Sequence, residues 1–420
     1  MKESMITGLD IGSTKISSAI AVIDKNNKIK LLGTGICESE GIANGKVQDL
    51  KLLSDAILSS ITTAEKAAEK TAQNLYVAIS GPYLTFRTSQ GTIPVTSGQG
   101  PSEIEQIHID QVINNLLLDI KRHFSADKYE IIHCIPQYYT IDGQENIANP
   151  IGMIGYALSV KALIIIAETA PLRNIRKSIE MAGFRNATYV FSPIATAKAI
   201  MNKDEKELGA LMIDIGGNIS DLLMISNRYP RLAISIDKGS KLITYDLYTQ
   251  LKTPPAFAEQ LKIEYGDCFP QEVSPEINVN IDGIGGRQAG VVPLDYINQI
   301  IEERTKDILD EVYKQYLNNY QETNSLTAGI VLTGGASKMK NIDALCFNIF
   351  NMPVRIAYPD FSRFNEPIQQ LNSPSFSTLV GLIYYALQEE AENKKSNRIS
   401  FSLNFSSIKN TITNIFKEFL

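Results

Sequence analysis

A chain of 420 residues with 44% apolar and 20% charged side chains has the composition of an ordinary globular protein, and that length divides more naturally into several domains than into one core. A net charge of −6 argues against a general nucleic-acid binder, which needs a basic surface. Four scattered cysteines without a Cys-x-x-Cys pair, and only three histidines, argue against a disulfide framework or a zinc site. No apolar run reaches the roughly 18 residues needed to span a bilayer, and "MKESMITGLD" enters a strand pattern directly. No signal peptide is therefore expected, and the body of the chain is expected in the cytoplasm.

In chain order, "MITGLDIGSTKISSAIAVIDKNNKIKLLGTGI" (5–36) reads as three strands joined by turns, with "DKNNK" as a polar tip. "LKLLSDAILSSITTAEKAAEKTA" (50–72) spaces Leu53, Ile57, Leu58 and Ile61 as one face of a helix. "NLYVAIS" (74–80) is a short buried strand closed by Gly81-Pro82. Residues 86–164 are β-rich with one helix and read as an inserted subdomain. "GALMIDIGGNISDLLMISNRYPRLAISIDKGS" (209–240) again gives three strands, turning at "SNRYP". A charge-rich helical stretch follows, then the buried strand "AGIVLTGG" (328–335). One order of elements met twice points to a duplicated α/β architecture. Residues 388–404 are polar and read as a linker. In "FSSIKNTITNIFKEFL" (405–420), Ile408, Ile412, Ile415, Phe416 and Phe419 share one helical face, with Lys409, Asn410, Thr413, Asn414 and Lys417 around the other side. From Lys394 to Leu420 five basic residues stand against one acidic one. An amphipathic, locally basic helix on a polar tether describes an interfacial membrane anchor; the alternative is a helix docked on the body.

Each half carries Asp-Ile-Gly at its first turn. A turn that exposes backbone N–H groups cradles phosphate, and small residues allow close approach. In "DIGSTK", Gly12 permits that approach, the hydroxyls of Ser13 and Thr14 donate, and Lys15 adds positive charge. Asp10 would repel a phosphate, so its expected role is to hold a hydrated Mg²⁺ through water, with Asp214 doing the same from the facing hairpin. In "GIVLTGGASKMKNIDAL" a strand ends at Gly334-Gly335, where a purine or ribose can lie against bare backbone. A strand-end glycine pair alone is more often just a turn. All three motifs in this order carry far more weight.

"LDIGSTKI", "FSPIATAKAI", "MIDIGGNISD" and "GIVLTGGASKMKNI" together resemble the phosphate 1, connect 1, phosphate 2 and adenosine motifs of the actin/Hsp70/sugar-kinase superfamily. "VAISGPYLTF", "IPQYYTIDGQENIANPIGMIG", "MNKDEKELGALMIDIGG", "TPPAFAEQLKIEYG" and "IIEERTKDIL" resemble more closely the FtsA family of bacterial cell-division proteins, from the first strand to near residue 390. The resemblance implies an actin-like (ribonuclease H-like) fold of duplicated domains around an ATP cleft, with an inserted β-rich subdomain and a C-terminal amphipathic helix. It divides the chain into subdomain 1A (1–85, 165–205 and 366–387), 1C (86–164), 2A (206–240 and 326–365) and 2B (241–325), then the linker and the terminal helix.

By position, the resemblance gives Asp10, Gly12, Ser13, Thr14 and Lys15 to the first phosphate loop, and Asp214, Gly216, Gly217 and Asn218 to the second. Gly239 would lie near the nucleoside. Glu259 and Lys262 would border the purine or ribose, and Gly334, Gly335 and Ala336 would complete the pocket; by themselves Glu259 and Lys262 read as a solvated helix face. Ser192 stands where many relatives carry a water-positioning Glu or Gln, and serine is a poor general base. Asn218 replaces a small residue in the turn; Asn tolerates positive φ, and its side chain would crowd or hydrogen-bond a γ-phosphate. The implied function is an ATP- and Mg-binding protein, at most a weak ATPase. It would form filaments on the cytoplasmic side of the inner membrane, contact its lipid, bind the C-terminal tail of FtsZ and help recruit other divisome proteins. The inserted subdomain would face the neighbouring protomer and 2B would carry FtsZ. A pilus-assembly adaptor or a sugar or acetate kinase of the same fold are the rivals; an Hsp70-like chaperone would need a β-sandwich substrate domain.

Overall fold

The structure is a computed structural model and describes residues 4–24, 28–98, 100–125, 127–270, 277–286, 290–320 and 326–396. In the first half, three consecutive strands (Ser4–Ile11, Lys15–Ile23, Ile29–Glu38) form an antiparallel meander. Leu75–Ile79 joins the other edge of Ser4–Ile11 in parallel, and Ala187–Phe191 joins Leu75–Ile79 in parallel. The second half repeats this. Ala210–Ile215, Ser220–Ser226 and Tyr229–Ile236 form the meander, and Gly329–Thr333 and then Val354–Ile356 add parallel strands beyond Ala210–Ile215. The expected duplication is therefore present as two five-stranded mixed sheets of the same order.

Register places the two aspartates at matching points. Asp10 is opposite Ser17 and beside Ala78; Asp214 is opposite Asp221 and beside Thr333. The first two strands of each meander are largely buried, so each delivers its turn to a fixed place.

The helix Leu50–Ala68 starts at Asp49, whose carboxylate accepts from the N–H groups of Lys51 and Leu52 at 2.8 and 2.9 Å, satisfying two orphan donors. It buries Leu53, Ile57, Ile61 and Ala64, whereas Leu58, expected on the same face, is 45% exposed. The buried set keeps the i, i+4, i+8 stripe, and one residue further on lies about 100° round the helix. A Cβ on Gly35 would lie 1.8 Å from the Ser60 carbonyl oxygen, so glycine is what lets this helix lie flat on the sheet.

Between the first half's strands sits a four-stranded sheet, ordered Gln144–Ile147, Tyr129–Ile141, Ala157–Glu168 and Leu84–Pro94, with the helix Gln106–His123 against it. It has its own core, including Val112, Leu116, Cys134, Val160 and Ile164. In the second half, the helices Lys241–Leu251, Pro255–Tyr265 and Leu294–Asn319 stand between the meander and Gly329–Thr333, sharing that half's core.

The helix Ser377–Ser396 packs against Ser192–Ile200 so tightly that a Cβ on Gly381 would be 1.9 Å from the Ala195 carbonyl oxygen. It also runs through the first part of the stretch expected to be linker. "QEEAENKKS" is rich in strong helix formers, so its polarity does not prevent the helix from continuing. The rest of that linker, and the whole 405–420 helix with Ile408, Ile412, Ile415, Phe416 and Phe419, lie outside the described residues. Among the described residues no helix is long and apolar enough to cross a membrane.

Candidate functional site

The two Asp-Ile-Gly turns are closed by the same bond. The Gly12 N–H donates to the Lys15 carbonyl at 3.1 Å, and the Gly216 N–H to that of Ile219 at 2.9 Å. A Cβ would come 2.8 Å from the Lys15 oxygen at Gly12 and 3.0 Å from the Ile219 oxygen at Gly216. Neither glycine has positive φ, so lack of room excludes a side chain here, not handedness. The turns meet tip to tip: a Cβ on Gly217 would lie 2.6 Å from Thr14 Cγ2.

Between the halves is a cleft of about 350 Å³. Asp10, Gly12, Ser13, Thr14, Lys15, Asp214, Gly216, Gly217, Glu259, Lys262, Gly334, Gly335 and Ala336 line it, as does Ser192 at the start of the helix Ser192–Ile200. Asn218 and Gly239 are not among its lining residues. A Cβ on Gly239 would sit 2.5 Å from the Gly217 carbonyl oxygen, so this glycine lets the next segment pack on the second turn, and its neighbour Ser240 faces the cleft. Asn218 does not use a left-handed backbone. Its Nδ2 donates to Asn44 Oδ1 at 2.6 Å, while its own Oδ1 is buried without a partner. The turn kept an ordinary conformation, so the tolerance of asparagine for positive φ was not needed.

Besides Glu259, three aspartates face this space. Burial pushes Asp10 up to about 6, partly opposed by Lys15. Burial pushes Asp214 up to about 8, with repulsion from Asp221 and Asp10 adding and hydrogen bonds from Thr196 and Thr378 opposing. Burial likewise takes Asp221 to about 6, against the hydroxyls of Ser235 and Ser80. The Ser80 hydroxyl donates to Asp221 at 2.6 Å, reaching it from the other half. Like charges brought together in low dielectric favour the neutral form unless a cation is supplied. Among the described residues no three His, Cys, Asp or Glu side chains converge to ligate a metal directly.

Lys15 lies with its ammonium 3.3 Å from the centroid of the Phe376 ring, a cation–π contact. Burial lowers its pKa to about 8, with Asp10 opposing and Lys338 contributing. Lys262 is only 6% exposed, so it is not the solvated helix residue its position alone suggests. Its Nζ donates to Glu259 Oε2 at 2.8 Å and to Thr244 Oγ1 at 3.0 Å. Beside the second turn Gly334 has φ 89° and ψ 171°, and a Cβ there would lie 2.3 Å from Asp214 Oδ1. A Cβ on Gly335 would meet nothing within 4 Å.

Sequence reasoning missed Asp221, Ser80, Ser240, Lys338 and Thr378, all of which line the cleft. For Asp221 a signal existed: it lies seven residues after Asp214, as Ser17 does after Asp10, and an antiparallel hairpin puts that residue opposite.

A family model described as "Cell division protein FtsA" matches residues 211–381, and one described as "SHS2 domain inserted in FTSA" matches residues 81–166. The cell division protein FtsA of Neisseria meningitidis serogroup B is 31% identical over 391 residues, covering 93% of this chain and 92% of that protein. FtsA of Buchnera aphidicola subsp. Acyrthosiphon pisum is 30% identical over 416 residues, covering 97% of each. The chain belongs to the FtsA family of cell division proteins. FtsA of Escherichia coli strain K12 is 28% identical over 402 residues, covering 93% of each chain. Among solved structures, the PilM-PilN type IV pilus biogenesis complex matches with a TM-score of 0.60 at 15% identity, over 91% of this chain and 98% of that one. MreB5 of Spiroplasma citri bound to ADP matches at 0.54 with 16% identity, over 94% and 99%. The MamK double helical filament matches at 0.51 with 11% identity, over 91% and 98%. At these identities the likeness concerns fold alone, and this FtsA-family chain has the actin-like fold.

Proposed function

We propose that this chain binds Mg·ATP between its two halves, forms filaments on the cytoplasmic side of the inner membrane, anchors the FtsZ ring through the C-terminal tail of FtsZ and helps recruit other divisome proteins. One observation carries the nucleotide part: twin Asp-Ile-Gly turns with the same closing bond face one cleft that Gly334-Gly335 also line. One relative in fold, MreB5 of Spiroplasma citri, was solved bound to ADP and to AMPPNP, and a second, MamK, as a double helical filament.

The residues fit the group. The N–H groups and hydroxyls of the first turn, together with Lys15, would hold phosphates. Glu259, Lys262, Gly334, Gly335 and Ala336 would border the nucleoside. Asp10 and Asp214 would hold Mg²⁺ through water, and Asp221 adds a third carboxyl on the same side. The cation would neutralise phosphate charge and let those carboxyls ionise. Ser192, 8% exposed, is too short and too weak a base to activate water, which favours holding ATP over consuming it. A sugar or acetate kinase would need a carboxylate there, and the near-full-length relatives favour division over a pilus adaptor.

Membrane and FtsZ binding are tested by liposome co-sedimentation of the full chain and of a truncation after residue 404, each with and without ATP and FtsZ. The full chain should sediment and carry FtsZ with it, and the truncation should stay in the supernatant. A full chain that stays soluble and recruits no FtsZ refutes the reading.

A further inference from the structure

Several hydrogen bonds pass directly from one half to the other, and they differ in how accessible they are. The Gln137 side chain donates to the Pro230 carbonyl in a buried contact, and Ser80 reaches the buried Asp221. The Ser80 bond is itself half-buried, and two others are half-buried or exposed. Asn218 Nδ2 donates to Asn44 Oδ1 at 2.6 Å in a half-buried contact, and Lys241 Nζ donates to the Ser13 carbonyl oxygen at 2.6 Å on the exposed surface.

Each of these two bonds borders the cleft. Ser13 is itself a lining residue, Gly45 beside Asn44 lines it, and so does Ser240 beside Lys241. Asn44 is held for its role. It has φ 52° at the tip of the two-stranded hairpin formed by Ile42–Ala43 and Lys46–Val47. Its neighbour Gly45 is wedged so closely that a Cβ there would lie 2.2 Å from the Ser80 carbonyl oxygen and 3.2 Å from Ile219 Cδ1. Neither Asn44 nor Lys241 lines the cleft itself. Their side chains instead tie each phosphate turn to the opposite half.

From this geometry we infer that Asn44 and Lys241 are positioning residues forming a two-point clasp that gates nucleotide passage. The inference rests on the nucleotide reading of the cleft. These two bonds should open at lower free-energy cost than the buried Gln137 bond or the Ser80 bond to a buried carboxyl, so brief separation of the halves should begin at these two points. A bond that holds the halves closed in free and loaded protein alike slows entry and exit together. It therefore sets exchange rates far more than affinity.

The experiment is stopped-flow mixing of the full chain with a fluorescent ATP analogue and Mg²⁺, followed by chase with unlabelled ATP. Asn44→Gly removes the acceptor and keeps the left-handed turn unstrained, while Asn44→Asp keeps the acceptor. Lys241→Ala removes the donor, and Lys241→Arg keeps one. Asn44→Gly and Lys241→Ala should each speed association and release about fivefold, the factor to which about 1 kcal/mol for one net hydrogen bond converts. The dissociation constant should move less than about twofold, and Asn44→Asp and Lys241→Arg should exchange like the parent. Rates unchanged in the loss variants, or a lowered Tm with no kinetic change, overturn the clasp. A parent chain that takes up no analogue overturns the nucleotide reading itself, and the clasp with it.

Discussion

Gly334 and Gly335 are neighbours on the wall of one cleft, yet substitution should separate folding from binding. At Gly334 the backbone occupies φ 89°, ψ 171°, a region open essentially to glycine alone. A methyl group there would also meet Asp214 Oδ1 at 2.3 Å and the Ile215 carbonyl oxygen at 2.5 Å. The second atom belongs to the central strand's backbone, which cannot move aside. The conformational strain costs about 1–3 kcal/mol and the overlap about 1–3 kcal/mol more. Gly334→Ala should therefore lose about 2–6 kcal/mol, lowering Tm by at least about 4 °C at roughly 2 °C per kcal/mol for a large domain. At Gly335 φ is not in the left-handed region, and a Cβ meets nothing within 4 Å. A Cβ there has open space, and a valine at this lining position would take up room in the cleft of about 350 Å³. Gly335→Val should then keep the parent Tm within about 2 °C and weaken Mg·ATP at least about tenfold, or about 1.4 kcal/mol. Differential scanning calorimetry reads the first quantity and isothermal titration the second. If Gly335→Val binds Mg·ATP like the parent, the nucleoside does not lie on this wall. If Gly334→Ala melts with the parent, the steric argument is wrong.

Two further predictions concern protons. Asp214 is pushed up to about 8 and Asp10 to about 6 by burial, so at pH 7 the cluster holds about one proton that a bound cation would displace. Titration of Mg·ATP in buffers of different ionisation enthalpy should show release of about one proton at pH 7, abolished in Asp214→Asn; heats independent of buffer would refute the placement of Mg²⁺. His133 is fully buried, its Nε2 accepts from the Phe191 N–H at 2.9 Å, and burial lowers its pKa from 6.5 to about 3. The unfolded chain then binds a proton between about pH 6.5 and 3 that the folded chain does not, so stability rises with pH across that window and falls on acidification. Between pH 7 and 5 the parent should lose about 2 kcal/mol more than His133→Gln in urea unfolding; equal losses would show that His133 is not buried in its neutral form.

The sequence by itself determined what depends on neighbours along the chain. Twin Asp-Ile-Gly turns, the meander after each, and the glycines at the end of Gly329–Thr333 are legible because hairpin and turn sterics act over a few residues. The local signal also reached Asp221, had its register been counted across the hairpin from Asp214. Only the tertiary structure decided which faces are covered and which partners meet. Leu58 is exposed although its neighbour Ile57 is buried, because the sheet covers a narrow stripe of that helix. Lys262 is buried although it reads as a surface residue, because Glu259 and Thr244 take up its ammonium. The stretch expected to be linker continues as helix from an end packed on Ser192–Ile200, a contact that composition does not record. Asn218 bonds Asn44, 174 positions away, instead of standing free at its turn. Backbone conformation follows from sterics local to the chain, whereas burial and pairing follow from surfaces that meet only once the elements of a half have packed and, for Asn218 and Asn44, once the halves have docked.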